Sequence, residues 1–188
     1  MKNGRKEKRN VVEPVSAVPV IDQNSVQIRL ESPPSQMEDF DFLIGNWTLE
    51  GTRFNPDGTI KGEYKGKWDA QFIDDGRIIF DTVTWFNSDG TKESFYPTIR
   101  TFSSETNRWE MTYMASLSYM HSEFFRGQFI DGEGHFDAVV SIAPGKSVKA
   151  KVRFYNIKEN NLDWSMKFSS DDGKSWFIAR KFTAKRVF

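Results

Sequence analysis

Between Thr48 and Phe188 the chain repeats one pattern, short runs in which apolar and polar side chains alternate, each ending in turn-forming residues. The clearest run sets Tyr64, Gly66, Trp68, Ala70 and Phe72 against Glu63, Lys65, Lys67, Asp69 and Gln71. Side chains of a strand point alternately to its two faces, so this period predicts a strand with one dry and one wet face. The same alternation returns at Trp109, Met111 and Tyr113 against Glu110 and Thr112, and at Val148, Ala150, Val152 and Phe154 against Lys149, Lys151 and Arg153. It recurs at Leu162, Trp164, Met166 and Phe168 against Asp163, Ser165 and Lys167. Between such runs lie Asn55-Pro56-Asp57-Gly58, Asp74-Asp75-Gly76, Asn87-Ser88-Asp89-Gly90, Asp131-Gly132, Pro144-Gly145 and Asp171-Asp172-Gly173, which close Asx turns or tolerate positive φ. The result is about ten strands with hairpin-length links. No link has room for a crossover helix, so the sheet is an antiparallel meander. Closing it removes the edges and gives every dry face one interior. The expected fold is therefore all-β, an antiparallel up-and-down β-barrel, with a short N-terminal helix over Met37 to Ile44 closing one end.

The first 36 residues differ. They contain no Phe, Tyr or Trp but hold Pro14, Pro19, Pro33 and Pro34, and they open on a basic run of Lys2, Arg5, Lys6, Lys8 and Arg9. With so little large apolar surface, residues 1–36 are expected to form a disordered or extended tail, and 37–188 the barrel domain. Val11, Val12, Val15, Val18, Val20 and Ile21 would allow part of that tail to lie along the body. The basic run reads as a solvated terminus rather than a tether for nucleic acid or membrane, because 26 basic and 26 acidic residues leave no net field. No apolar run is long enough to span a bilayer, and no signal sequence follows Met1, so a soluble, cytoplasmic protein is expected. With no cysteine and two histidines, a thiolate nucleophile is excluded and a multi-histidine metal site has too few ligands.

Gly45-Asn46-Trp47 on the first strand, preceded by a short apolar helix, resembles the opening signature of the calycins, the group of lipocalins and fatty-acid-binding proteins. The wider string Phe40-Asp41-Phe42-Leu43-Ile44-Gly45-Asn46-Trp47 is similar to that of a bacterial family of uncharacterised lipocalin-like domains. The likeness continues through Ile99-Arg100-Thr101-Phe102, Gly132-Glu133-Gly134-His135-Phe136 and Asp172-Gly173-Lys174-Ser175-Trp176 to Arg186. It implies a structural pair, Trp47 stacked under Arg186 at the barrel floor. Ser169-x-Asp171-x-Gly173-x-Ser175-Trp176 also fits an Asp-box, which in a single copy serves to stabilise a turn. The resemblance raises haem, which ten-stranded calycin barrels related to nitrobindin bind through a late histidine. His121, read as lying in a loop, and His135 are both too early for that, so no cofactor and no metal are expected.

Candidate chemistry is sparse. Asp81 lies among Ile78, Ile79, Phe80 and Val83, and Arg100 lies in a strand whose faces are both mixed. If both point inward they must pair or meet a ligand, since an unpaired charge in an apolar barrel is costly; if outward, they are solvent charges, and the period does not decide. Glu63, Glu110 and Glu123 read as outer-face charges. The preferred expectation is non-covalent binding of a small apolar or aromatic molecule inside the barrel. Its lining would be Tyr64, Trp68, Phe80, Trp109, Met111, Tyr113, Phe154, Trp164 and Met166, with Arg100 as polar anchor. The alternative is a cofactor-free cyclase, isomerase or hydrolase of polyketide or terpenoid type, with Asp81, Arg100, Tyr113 and His121 as catalytic candidates. A third reading is an interaction module recruited by the tail. The expected partner is the small ligand, not nucleic acid or membrane, and the chain is expected to be a monomer or homodimer.

Overall fold

In the computed structural model the described residues are 32–188, without 117–119 and without the side chains of 115–121. The expected tail, as far as residue 31, lies outside them. A 3-10 helix over Ser35–Leu43 leads into ten strands: β1 (Gly45–Phe54), β2 (Ile60–Ile73), β3 (Ile78–Phe86), β4 (Lys92–Ser103), β5 (Arg108–Ser116), β6 (Met120–Ile130), β7 (Glu133–Ala143), β8 (Lys146–Tyr155), β9 (Asn161–Ser169) and β10 (Phe177–Val187). Each strand pairs antiparallel with its sequence neighbours, and β1 pairs with β10, so the sheet is a closed up-and-down barrel. Among the described residues no helix is long and apolar enough to cross a membrane.

The two-residue period of the sequence is the inside–outside alternation of the wall. In β2, Tyr64, Trp68 and Ala70 are buried while Lys65, Lys67 and Asp69 are exposed. In β8, Val148, Ala150, Val152 and Phe154 point inward. Gly66 interrupts the inner row of β2 for a steric reason, since a Cβ there would lie 2.5 Å from the Trp85 ring. The hairpins at one end are cut to one pattern. Asn55 N–H donates to Thr59 O and Asn87 N–H to Thr91 O, both at 2.9 Å, while Asp57 and Asp89 accept the N–H of Thr59 and Thr91. In the β9–β10 loop Asp171 accepts from Ser175 N–H at 2.9 Å and from the Ser169 and Ser175 hydroxyls. Those bonds hold its carboxyl well below the usual range.

The opposite end is closed by the 3-10 helix. It starts two residues before the expected position, directly after Pro33 and Pro34, and buries Met37, Phe40 and Leu43 in the barrel. The Phe40 ring meets Trp109 edge-on at 4.7 Å and Phe129 at 4.9 Å. Trp47 Nε1 donates to Leu43 O at 2.8 Å, and the Arg186 guanidinium lies 4.2 Å over the Trp47 ring. Arg186 also donates to the carbonyls of Phe42, Ile44 and Glu159 at 2.6–2.9 Å, which fastens the helix to β10. Trp47→Ala is expected to cost about 3–5 kcal/mol and Arg186→Met about 2–3 kcal/mol. Because the two share one contact, the double variant should lose less than the sum, measured by urea unfolding.

Candidate functional site

Above the plug, the first polar layer is an ion pair buried in the wall. Period two along β3 points Ile79, Asp81, Val83 and Trp85 inward, and the β3–β4 register sets Thr98 beside Asp81 and Arg100 beside Ile79. Asp81 is 0% and Arg100 5% exposed. Arg100 Nε donates to Asp81 Oδ2 at 2.6 Å and its Nη2 to Oδ1 at 3.1 Å; Trp68 Nε1 adds a third bond to Oδ1 at 2.8 Å. The remaining side of the guanidinium lies against Met111 Sδ and the ring of Phe40, 5.1 Å away. The pair thus adds fixed polarity to the interior without net charge, and both carboxylate oxygens are engaged.

Between this pair and the open mouth lies a cavity of about 70 Å³. Of the residues expected at a site, Tyr64, Trp68, Asp81, Arg100, Met111, Tyr113, Phe154, Trp164 and Met166 line it. Phe80 does not: the phase that turns Asp81 inward turns Phe80 outward, where it is half-buried. Nor does Trp109, which is fully buried in the floor with its Nε1 donating to Asp39 at 3.1 Å. His121 falls in β6 rather than in a loop, and its side chain lies outside the described residues.

The cavity also has walls that sequence reasoning missed: Val83, Trp85, Thr98, Phe125, Val152, Arg180 and Phe182. Val83 and Trp85 follow from Asp81 by period two once Asp81 is known to be inside. Counting back from Arg186 through Ala184 and Phe182 reaches Arg180 in the same way. Glu123, read as an outer charge, is buried and accepts from Ser141 N–H at 2.9 Å. It shares the inward phase of Phe125 and Gly127, which the adjacent Phe124 conceals in the sequence.

The mouth is aromatic with charges at its rim. Tyr96 and Tyr113 stack at 5.0 Å, Tyr64 meets Trp85 edge-on at 4.4 Å, and Trp164 stacks on Phe182 at 4.7 Å. Arg53 grips Glu93 through two bonds of 2.9 and 2.6 Å and lies 4.8 Å over the Tyr64 ring. Burial pushes the Tyr64 hydroxyl up to about 12 and the Tyr113 hydroxyl well above its usual 10. Among the described residues no group of three or more His, Cys, Asp or Glu is placed to hold a metal ion.

Solved structures share this architecture. Rv2717c from M. tuberculosis matches with a TM-score of 0.59 at 12% identity, covering 83% of this chain and 99% of that one. The S-type phycobiliprotein lyase CPES from Guillardia theta matches with a TM-score of 0.53 at 13% identity, covering 83% and 99%. The fold is calycin-like. At such identities the likeness is one of fold, and no family model or curated protein matches the sequence.

Two outcomes test the geometry. Asp81→Leu or Arg100→Met alone strands a buried charge and is expected to cost about 3–5 kcal/mol in urea unfolding, whereas the double variant should recover most of that loss. Unfolded tyrosine ionises near pH 10 while Tyr64 and Tyr113 stay protonated in the fold. The stability they contribute is therefore whole below pH 10 and falls as pH rises from 10 toward about 12. Tyr64→Phe should make that fall shallower in unfolding measurements taken across the same range.

Proposed function

We propose that this protein binds one small, flat, largely apolar molecule in the cavity between the Asp81–Arg100 pair and the mouth. The observation that carries the reading is the cavity itself, open on one side and walled by Tyr64, Trp68, Trp85, Tyr113, Trp164 and Phe182. Rings of this kind offer broad faces for stacking at small cost in side-chain entropy. The fixed polar groups at the inner end orient a ligand by a few hydrogen bonds, as small-molecule sites commonly do. Arg100 acts here as part of a neutral pair and not as a charged anchor, because Asp81 already matches its charge. The enzyme alternative has no comparable support: the carboxylate that would serve as base is bound on both oxygens.

Toluene, followed by calorimetry and by the rise in melting temperature it causes, tests the reading. Saturable binding is expected, and Val152→Phe, which puts a ring into the space, should weaken it at least tenfold. The variant itself is expected to lose about 1–3 kcal/mol from overpacking. No binding, or binding indifferent to Val152→Phe in a folded variant, would overturn the proposal.

A further inference from the structure

Among the described residues, the charges that face the barrel interior have hydrogen-bonded partners, with one exception. Asp81 answers Arg100, Glu93 answers Arg53, and Arg186 is spent on three carbonyls at the floor. Glu123, on the inner face of β6, is engaged at the Ser141 N–H of β7. Arg180 lines the cavity, is only partly exposed, and makes no hydrogen bond or ion pair with any described residue. Turning a guanidinium toward an apolar space without a partner is unfavourable, and a side chain of that length at a barrel mouth has water within reach. The wall is built to keep it there. The β9–β10 register steps from Ile178↔Lys167 to Arg180↔Met166, so Ala179 is an extra residue and the strand bulges directly before Arg180. Bulges of this kind re-aim a side chain. Arg180 is close enough for its charge to offset part of the rise that burial causes at Tyr64 and Tyr113 and to favour the Glu93 carboxylate, and the Tyr113 hydroxyl likewise has no hydrogen-bond partner among the described residues.

We infer that the ligand is a one-ring aromatic carboxylate, with Arg180 as its counter-ion, Tyr113 as a second donor and its ring between Trp85 and Trp164. The inference rests on the reading that the cavity is a binding site. A guanidinium presents N–H donors and no acceptor, and the phenol hydroxyl can add an O–H donor beside it, which suits a carboxylate; the positive charge of Arg180 disfavours an ammonium group. Burial keeps the Tyr113 hydroxyl protonated and so able to donate. Size sets the rest of the class. The cavity's 70 Å³ is about half of the roughly 150 Å³ void that takes up one benzene ring, and it opens toward the mouth, so it admits no more than a single ring. A long-chain acid or a tetrapyrrole would have to displace the stacked Trp164 and Phe182.

The test uses calorimetry on the full chain with benzoate, benzyl alcohol, toluene and dodecanoate at one ionic strength. Benzoate is expected to bind at least tenfold more tightly than benzyl alcohol. Arg180→Gln should abolish that preference, and Arg180→Lys should keep most of it. Should Arg180→Gln fail to fold, Tyr113→Phe serves instead, with about a threefold to tenfold fall in benzoate affinity relative to toluene. If toluene binds but benzoate is not preferred, or the preference survives Arg180→Gln, the anion assignment is wrong and the cavity reading stands. Dodecanoate binding more tightly than benzoate would overturn the one-ring class. If neither toluene nor benzoate binds, both readings fall.

Discussion

The ladder between β1 and β10, running from Asn46↔Val187 to Arg53↔Arg180, turns a meander into a wall with no edge. Everything inside depends on it. An open sheet would leave two strands with unpaired N–H and C=O groups and would expose Trp68, Phe154 and Phe182 to water together. Closure also joins residues from the two ends of the domain. Arg186 comes to lie over Trp47, and Arg180 comes to stand beside Arg53.

Given the closed wall, the interior is ordered by depth. Aromatic packing around Phe40 fills the floor, and the Asp81–Arg100 pair forms the next layer. That pair is tolerable because Trp68 and the surrounding rings satisfy or screen what the two charges leave over. Above it the rings still touch, Trp85 meeting Phe182 at 5.6 Å, but they leave a space that opens toward the Arg53–Glu93 bridge at the rim. Stability and any binding therefore occupy different levels of one barrel. The floor and ion pair hold it closed, while the upper rings, which have fewer partners, are free to contact something else.

How much was legible follows the strength of the alternation. Strands such as β2 and β8, with charged residues facing water and apolar ones facing in, could be phased from the sequence, and part of the cavity wall came with them. In β3, β4 and β6 both faces carry large apolar residues, so the phase was hidden. Phe80 looked as apt for the interior as Asp81, and Glu123 looked like a surface charge beside Phe124. Trp109 had the right phase and the wrong depth, because the period says which face a residue occupies and nothing about its height in the barrel.

The sequence by itself determined the strand number, the hairpin links, the dry faces and the short apolar plug. These are local properties, set by side-chain alternation and by turn residues acting over a few positions. Only the tertiary structure decided that Asp81 and Arg100 neutralise each other and that Arg180 is left facing the cavity. Such facts depend on register between strands far apart in the chain and on a single bulge in β10. A shift of one residue would have turned each of these charges to the opposite face.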